Sequence, residues 1–349
     1  MPNIGHTELK YIVSNLLVAA GASEDEASTV AEHTVGANLA GHDSHGVIQI
    51  PTYIDRINAN HIVPGAPFEI MKDTSTTTVV DGHWGFGYVV SKRVMDMTIE
   101  KARTANVAAA TVFRQSHVGR VANYPVMAAD AGMIGMMTAD SGRSPKHVAP
   151  FGGREPRLGT NPICFAIPSN LEGPFFIDMA SSAVAAGKIN LAIARGSEIP
   201  PGWIIDKNGH SSTDPRDYPA GGTLLPLGGP EGYKGYGLSA TIEVFSGILT
   251  GLGFGIEPSG RHNDGCFMVA FNVEAFRPLD EFKHEVAQFA EYLTSTPPAT
   301  GFERVYYPGE LEHLRTQRSI VEGIDVEEKT WSSLRDLAIS YSINSDLGL

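Results

Sequence analysis

The stretch VAAATVF at residues 107–113 decides the fold class of this chain. Its apolar, β-branched character predicts a buried strand. A polar loop over 114–119 follows, and then a helical stretch that we expect to reach about Ala131 and to end at Gly132. Residues 133–139 predict the next strand. Strand, loop, helix and strand in this order are typical of a layered α/β domain whose sheet is at least partly parallel.

Helical patterns occupy both ends of the chain. Ser23 and Glu26 form a capping box, and the apolar positions after them predict a helix over 24–40 that ends at Gly41. Further helices are predicted at 7–20, 52–60, 280–295, 308–322 and 327–339. We therefore predict a mixed α/β fold with three segments: N-terminal helices (1–76), a sheet domain (77–279) and C-terminal helices (280–349). The two helical segments are expected to pack together beside the sheet.

Composition and charge exclude several classes of partner. The 349 residues carry a formal net charge of −13 and the basic residues form no block, so nucleic acids and anionic membrane surfaces are not expected partners. An anionic substrate would need basic residues gathered locally. Cys164 and Cys266 lie far apart in apolar runs, which predicts buried free thiols in a reducing compartment.

The sequence also predicts where the protein resides. The first residues have neither a basic start nor an apolar core, so no secretory signal is expected. The stretch most like a membrane span, 236–256, contains Glu243 and repeated glycines. It predicts a buried helix that ends in a glycine-rich turn. We expect a cytoplasmic protein.

The motif Gly41-His42-Asp43-Ser44-His45-Gly46 follows the second helix directly and is the first candidate for chemistry. A histidine beside a hydroxyl can exchange a proton near neutral pH while its neighbour fixes the ring orientation. Two alternatives remain open. Asp43 and Ser44 fit an ordinary turn, and His42 with His45 fits a metal site, although this spacing is looser than that of helical zinc motifs.

The loop Gln115-Ser116-His117-Val118-Gly119-Arg120 joins the strand at 107–113 to its helix. At this edge of an α/β sheet, helix N-termini present unpaired donors and ligands collect. Arg120, expected one turn into the helix, can pair with a carboxylate or phosphate, whereas His117 fits a surface or capping role equally well. Asp178, at the end of another apolar strand, fits either the ribose hydroxyls of a nucleotide or the cap of a helix predicted over 181–194, and we favour the cap.

Gly235-Tyr236-Gly237-Leu238-Ser239-Ala240 matches the dinucleotide-binding pattern G-x-G-x-x-A. We reject it as a Rossmann motif because Gly229, Pro230, Glu231 and Gly232 stand before it where a strand is required. Glycines at a helix start still expose N–H groups, and Lys234 beside them can hold a phosphate. A helix that packs closely on the sheet explains the glycines equally well.

Together these motifs resemble the malate/L-lactate dehydrogenase-like oxidoreductases, a family separate from the Rossmann-type lactate and malate dehydrogenases. The resemblance covers nearly the whole chain. It rests on residues 37–46, 116–120, 151–154, 159–162, 178–182, 187–189, 234–238 and 307–310. Residues 38–45 and Arg120 look most similar to the bacterial hydroxycarboxylate (hydroxyphenylpyruvate-reducing) dehydrogenase branch.

The resemblance implies an interconversion of 2-oxo and 2-hydroxy acids that depends on NADH or NADPH, a nicotinamide-binding fold unlike Rossmann, no metal, and a homodimer. Some members instead reduce cyclic imino acids or oxidise ureidoglycolate. By position, Ser44 and His45 match the family's active-site serine and histidine, and His117 matches a histidine proposed as base in some members. The implied cofactor contacts are His117, Val118, Gly119, Arg120, Val121, Ser141, Thr160, Asp178, Met179, Ala180, Gly187, Lys188, Lys234, Pro308, Gly309 and Glu310.

One position departs from the family pattern. Many members carry an arginine four residues after the active-site histidine, where this chain has Gln49. A neutral amide cannot form a charge-assisted bidentate pair with a carboxylate. We therefore expect Arg120 to bind the substrate carboxylate, with Gln49 and Thr160 as further substrate contacts.

The sequence favours His45, protonated and oriented by Ser44, as the proton donor to the substrate oxygen, with His117 as the alternative donor. Two other classes of function stay open. One is a metal-dependent enzyme that uses His42 and His45. The other is a non-catalytic binding protein that has kept the fold.

Overall fold

The computed structural model describes residues 1–140, 145–256, 261 and 263–343, and within them the fold is mixed α/β, as predicted. The helices are α1 His6–Ala19, α2 Glu24–Leu39, α3 Ile50–Asn58, α4 Gly87–Ala105, α5 Pro125–Asp130, α6 Ala186–Arg195, α7 Tyr233–Glu243, α8 Leu279–Thr294, α9 Glu310–Glu322 and α10 Glu328–Ser340. The strands are β1 Asn3–Ile4, β2 Glu69–Asp73, β3 Thr77–Gly85, β4 Val107–Gln115, β5 Met133–Asp140, β6 Ile163–Ile167, β7 Phe175–Met179, β8 Ile204–Ile205, β9 Ser211–Ser212, β10 Thr223–Leu224, β11 Gly265–Asn272 and β12 Ile324–Asp325.

The main sheet has the strand order β2-β3-β4-β11-β5-β6-β7. β3 and β4 are parallel, and the other neighbouring pairs are antiparallel. Because β11 is antiparallel to both β4 and β5, those two strands run in the same direction, and β7 runs with them. The ends of β3, β4, β5 and β7 therefore meet the starts of β11 and β6 at one edge, which we call the C-terminal edge.

One face of this sheet is covered by α4 and α5. Their apolar side chains form a buried cluster with β4, β5 and β11, in which Met95, Val112 and Met137 are fully buried. The opposite face carries exposed apolar side chains, among them Phe165 of β6 and its cross-strand partner Ile177 of β7. The covered face holds the sheet rigidly, so side chains at the C-terminal edge are fixed in position.

The two ends of the chain share a second hydrophobic cluster. β1 pairs with β12, and Trp331 and Leu334 of α10 pack into a cluster formed mainly by α1, α2 and α3. The capping box of Ser23 and Glu26 is present at the start of α2, and Gly41 has the positive φ of 81° expected at its end. The segment boundaries at 76 and 279 stay a prediction.

Two predicted helices differ from the structure. After the loop at 114–119, the backbone of Arg120 is extended and a 3₁₀ turn, Val121–Asn123, precedes the short helix α5. The prediction that Arg120 lies one turn into a helix is therefore wrong. The helix predicted to begin at Ser181 begins at Ala186, so residues 181–185 form irregular backbone between β7 and α6.

The stretch after Lys234 confirms one prediction and corrects another. α7 follows a 3₁₀ turn, Gly229–Glu231, with no strand before it, which supports rejecting the Rossmann motif. The continuation is buried on one face only, because Ser246 and Thr250 are buried whereas Val244, Ile248 and Leu249 are 48%, 50% and 56% exposed. No helix in the described part of the chain is both long and apolar enough to cross a membrane.

Candidate active site

Residues far apart in the sequence gather at the C-terminal edge of the sheet. His117 follows β4, Asp264 precedes β11, Asp140 ends β5, Thr160 precedes β6 and Asp178 lies near the end of β7. The strand directions bring these positions to the same edge although they span about 150 residues of sequence. From the residues alone, the sequence identified this edge through the loop of His117 and Arg120, and the family resemblance added Thr160 and Asp178.

The loop that carries His45 is fixed to α2 by one asparagine. The Asn38 amide donates to Asp43 Oδ1 at 2.7 Å, and its carbonyl oxygen accepts from the Val47 N–H at 2.9 Å. Gly46 is required there, because a Cβ at this position would lie 2.3 Å from Asn38 Oδ1. Within the loop, Ser44 Oγ lies 3.1 Å from His45 Nδ1, the contact expected if Ser44 orients the ring.

His117 faces the same space from the sheet side. Its ring stacks against that of His45 with 5.8 Å between centroids and 18° between planes. Tyr53 Oη lies 2.7 Å from His117 Nδ1 and 3.0 Å from Tyr88 Oη, so two buried tyrosines hold the imidazole from behind. Gly119 is necessary for this packing, because a Cβ there would lie 2.2 Å from Tyr88 Oη.

Asp264 supplies a buried negative charge next to His117. Its Oδ2 accepts from the Val118 N–H at 2.9 Å, which ties the start of β11 to the loop after β4. Neither Asp264 nor Tyr53 was identified from the sequence, because each stands alone, outside any local motif. Tyr53 contacts His117 across 64 positions of the chain, and Asp264 contacts Val118 across 146.

The environment of His45 keeps its imidazole neutral. Burial, with the nearby His42 and the cation of Arg120, lowers the pKa of His45 to about 4, and the Asp264 carboxylate only partly opposes this. At pH 7 roughly one His45 in 10³ would then be protonated in the free protein. A neutral imidazole suits a hydrogen-bonding role better than the proton-donor role that the sequence favoured.

Arg120 is a half-buried cation that makes no ion pair within the described ranges. Its guanidinium lies over the ring of Phe176, 5.0 Å from the centroid, and its Nε has no hydrogen-bond partner. Burial lowers the pKa of Arg120, while the charges of Asp178 and Glu312 oppose the shift. An arginine whose Nε is buried without a partner and whose guanidinium forms no ion pair among the described residues suits a site that binds an anion.

Two other polar side chains fix this region. Asp178 Oδ2 accepts from the Ala122 N–H at 2.8 Å, so the prediction that Asp178 caps the following helix is wrong. That helix, α6, begins eight positions later and has no side-chain cap. Gln49 Nε2 donates to the Ser44 carbonyl at 2.8 Å, so its amide holds the His45 loop.

The predicted cofactor contacts fall into several groups. One group is the loop after β4, which carries His117, Val118, Gly119, Arg120 and Val121. A second group lies after β7, where Ser181 follows Met179 and Ala180. The Thr160 carbonyl accepts there from both the N–H and the hydroxyl of Ser181. Pro308 accepts from the Phe176 N–H, which brings the turn of Pro308, Gly309 and Glu310 against β7. Gly187 and Lys188 begin α6, and Lys234 begins α7, where it pairs with Glu231. Ser141 lies outside the described residues.

A buried charge cluster lies beside the same edge. Lys146 Nζ is 3.2 Å from Glu243 Oε1 and 3.4 Å from Asp140 Oδ1, and the Asn161 amide donates to Glu243 Oε2 at 2.9 Å. Burial and the charge of Glu243 raise the pKa of Asp140 to about 7, against the opposing effect of Lys146. The sequence showed none of these pairings, since their members lie up to 103 positions apart.

We expect Lys146→Met to destabilise the protein by ~3–5 kcal/mol at pH 8, because it leaves buried carboxylates without a counter-charge. The loss should be smaller at pH 5.5, where Asp140, with a pKa of about 7, is protonated. Between pH 4 and pH 7 Asp140 is protonated in the native protein but ionised in the unfolded chain. Its contribution to the free energy of unfolding therefore falls as the pH rises through this range. Denaturation midpoints at both pH values measure the effect.

Lys101→Met is the matched control, because Lys101 pairs with Asp73 near the surface. Its cost should be within ~1 kcal/mol and nearly independent of pH. A Lys146→Met midpoint equal to that of Lys101→Met at both pH values would contradict the structural role of the cluster.

The metal alternative finds little support in the geometry. His42 Nε2 lies 3.5 Å from Glu312 Oε1 of α9, and the pKa of Glu312 is lowered by that contact. Within the described ranges, the group of three donors spaced for one metal ion is Glu69, Asp81 and His83, which includes neither His42 nor His45. Asp81 is already bound by Arg114.

Comparison with known proteins agrees with this geometry. A family profile described as malate/L-lactate dehydrogenase matches residues 4–335. The chain belongs to the malate/L-lactate dehydrogenase family. It is therefore an oxidoreductase that acts on hydroxy acids, and the resemblance inferred from the motifs is confirmed.

Members of this family match the chain over nearly their full length. The malate dehydrogenase of Pyrococcus abyssi is 35% identical over 339 residues, 95% of this chain and 92% of that protein. The ureidoglycolate dehydrogenase (NAD⁺) of Escherichia coli K12 is 33% identical over 338 residues, 95% and 94% of the two chains. The two relatives are named for different substrates, malate and ureidoglycolate.

Solved structures of the family show the same fold. Malate dehydrogenase from Entamoeba histolytica matches with a TM-score of 0.93 and 33% identity, covering 98% of this chain and 99% of that one. The Δ1-piperideine-2-carboxylate reductase from Pseudomonas syringae matches with a TM-score of 0.85 and 26% identity, covering 97% and 100%. The fold class predicted from the sequence is confirmed.

Proposed function

We propose that the protein interconverts 2-oxo and 2-hydroxy acids with NADH or NADPH as its coenzyme. The observation that carries this proposal is the stacked pair of His45 and His117 beside the half-buried cation of Arg120, which forms no ion pair among the described residues. Two imidazoles serve proton transfer to a carbonyl oxygen, and a guanidinium serves a carboxylate. A 2-oxo acid presents both groups on adjacent carbons.

In this proposal His117 moves the proton and His45 orients the substrate. Tyr53 fixes the His117 ring, and the Asp264 carboxylate holds the loop that carries His117 by accepting from the Val118 N–H. His45 stays neutral because its pKa is about 4, and it hydrogen-bonds the substrate while Ser44 orients its ring. The bound nicotinamide supplies the hydride that reduces the substrate carbon.

The residues present fit a dinucleotide. α6 begins without a side-chain cap, so its first N–H groups are available to a phosphate, and Lys188 lies in its first turn. A Cβ added to Gly187 would meet no described atom within 4 Å, which leaves open space at that helix start. Arg120 and Asp178, which the family resemblance implies as cofactor contacts, lie together at the C-terminal edge of the sheet.

A homodimer is part of the proposal. Phe165 and Ile177 pair across β6 and β7 and are 36% and 46% exposed on the uncovered sheet face. Exposed apolar side chains clustered in this way are typical of an interface. Light scattering of the purified protein should therefore give twice the mass of one 37.3 kDa chain, and a concentration-independent monomer would contradict this.

A panel of substrates tests the proposal. Pyruvate, oxaloacetate, sulfopyruvate and hydroxyphenylpyruvate should be assayed with NADH and with NADPH by the loss of coenzyme absorbance. We expect turnover of at least one 2-oxo acid, unchanged by a metal chelator. Ureidoglycolate with NAD⁺ and a cyclic imino acid with NADPH are assayed in parallel, and turnover confined to either would select the alternatives suggested by the relatives. Coenzyme binding without any turnover would favour a non-catalytic role, and loss with chelator would favour a metal enzyme.

A further inference from the structure

A cleft separate from the His45 site lies on the other side of Arg120, between α1, α2, α9 and the turn Val121–Asn123. Its volume is about 420 Å³, within the range of small-molecule sites. It is lined by His6, Lys10, Glu32, His33, Gly36, Leu39, Arg120, Asn123, Thr316 and Ile320. Apart from Arg120, none of these residues has a place in the proposed reaction.

The cleft residues carry an unusual concentration of unpaired polar atoms. His6 Nδ1, His33 Nδ1, Arg120 Nε and Asn123 Nδ2 are all buried, and none has a hydrogen-bond partner. Leaving such an atom unpaired costs about 1–3 kcal/mol, so native proteins rarely bury several together. All four atoms are nitrogens, and two of them, Arg120 Nε and Asn123 Nδ2, can only donate hydrogen bonds. They point to an occupant that accepts hydrogen bonds.

The charge of the cleft also suits an anion. Lys10 and Arg120 are cations, and the acid that lines the cleft, Glu32, is paired with Lys10. Burial lowers the pKa of His33 to about 4, so this ring is neutral at pH 7 and contributes no charge to the cleft. Arg120 forms no ion pair within the described residues, although the carboxylates of Asp178 and Glu312 lie near enough to act on its charge.

Gly36 shapes the cleft from the middle of α2. A glycine within a helix costs about 1 kcal/mol relative to alanine, so its presence suggests a steric requirement. A Cβ added at Gly36 would meet no described atom within 4 Å, so no neighbour in the fold imposes that requirement. Since Gly36 lines the cleft, its missing side chain leaves room for an occupant.

We propose that this cleft binds a small organic anion, a carboxylate or a phosphate ester. Its acidic group would lie among Arg120, Asn123 and Lys10, and its carbon skeleton against Leu39 and Ile320. Because Arg120 also borders the His45 site, an anion bound here would weaken the binding of the substrate carboxylate. That last effect rests on the proposed function, whereas binding in the cleft does not.

Calorimetric titration of the full-length protein with sodium succinate and with inorganic phosphate, at constant ionic strength, tests the site. Succinate has no 2-oxo or 2-hydroxy group, so the proposed reaction cannot consume it. We expect one saturable site per chain for at least one of the two probes, and the preferred probe shows whether a carboxylate or a phosphate is recognised. Gly36→Leu, which fills the space, and Lys10→Met should each weaken binding tenfold or more.

Controls separate this site from the proposed active site. Lys101→Met should leave the affinity unchanged, because Lys101 pairs with Asp73 elsewhere on the surface. His45→Asn should also keep it, even if the substrate panel shows no turnover. The proposal is overturned if neither probe saturates, or if binding survives both Gly36→Leu and Lys10→Met. If Gly36→Leu does not fold, the affinity of Lys10→Met for the probe is compared with that of Lys101→Met. Equal affinities would overturn the proposal.

Discussion

Replacing His117 by asparagine should lower the single-turnover rate of 2-oxo acid reduction by roughly 10²–10⁴, the usual contribution of a general acid. The asparagine amide can keep the contact that Tyr53 makes with His117 Nδ1, so the surrounding structure is expected to survive. What is lost is the group that carries a proton to the developing alkoxide. Stopped-flow measurement at saturating substrate separates this chemical step from product release.

His45→Asn is the discriminating comparison. With a pKa of about 4 the ring is neutral, so its removal takes away one ordinary hydrogen bond to the substrate. Such a bond is worth about 0.5–1.5 kcal/mol, which corresponds to a rate loss of roughly tenfold or less. If His45→Asn produces the larger loss and His117→Asn the smaller, the proton donor is His45, as the sequence motif alone suggested.

Replacing Arg120 by methionine should raise KM for 2-oxo acids by roughly 10- to 100-fold. Methionine fills much of the same space over the Phe176 ring but removes the cation. A hydrogen bond to a charged group contributes about 1.5–3 kcal/mol, and the substrate carboxylate would lose it. Initial rates over a range of substrate concentrations give KM and kcat separately.

Gln49→Ala tests the competing assignment. Gln49 donates to the Ser44 carbonyl, so its loss should loosen the His45 loop and reduce kcat modestly while changing KM little. Arg157→Met, in an exposed loop, controls for a general loss of positive charge. A KM that rises more for Gln49→Ala than for Arg120→Met would contradict the role given to Arg120.

Local patterns in the sequence predicted the parts of the fold that depend on local interactions. The capping box of Ser23 and Glu26, the glycine stops at Gly41 and Gly132, and the strand at 107–113 are all present. β2 was missed because its five residues are all exposed, so no alternation of apolar and polar side chains marks it. The helix after Gly119 was placed too early because the backbone of Arg120 is extended and its side chain lies over Phe176 of β7, a contact that no local pattern shows.

The site was only partly visible for the same reason. His45 and His117 each stand in a recognisable motif, but their stacking across 72 positions depends on how α2 and α3 pack beside the sheet, which no local pattern shows. β11 enters the sheet between β4 and β5 from more than 120 residues away and brings Asp264 with it. Asp178 was predicted to cap a nearby helix, whereas its carboxylate binds the Ala122 N–H, 56 residues earlier.

The most direct test is a crystal structure of the protein with NADH and oxamate, an inert analogue of a 2-oxo acid. The account predicts the oxamate carbonyl oxygen within about 3.2 Å of an imidazole nitrogen of His117. It also predicts the carboxylate on the guanidinium of Arg120. An oxamate carbonyl held by His45 alone, or a carboxylate bound away from Arg120, would contradict it.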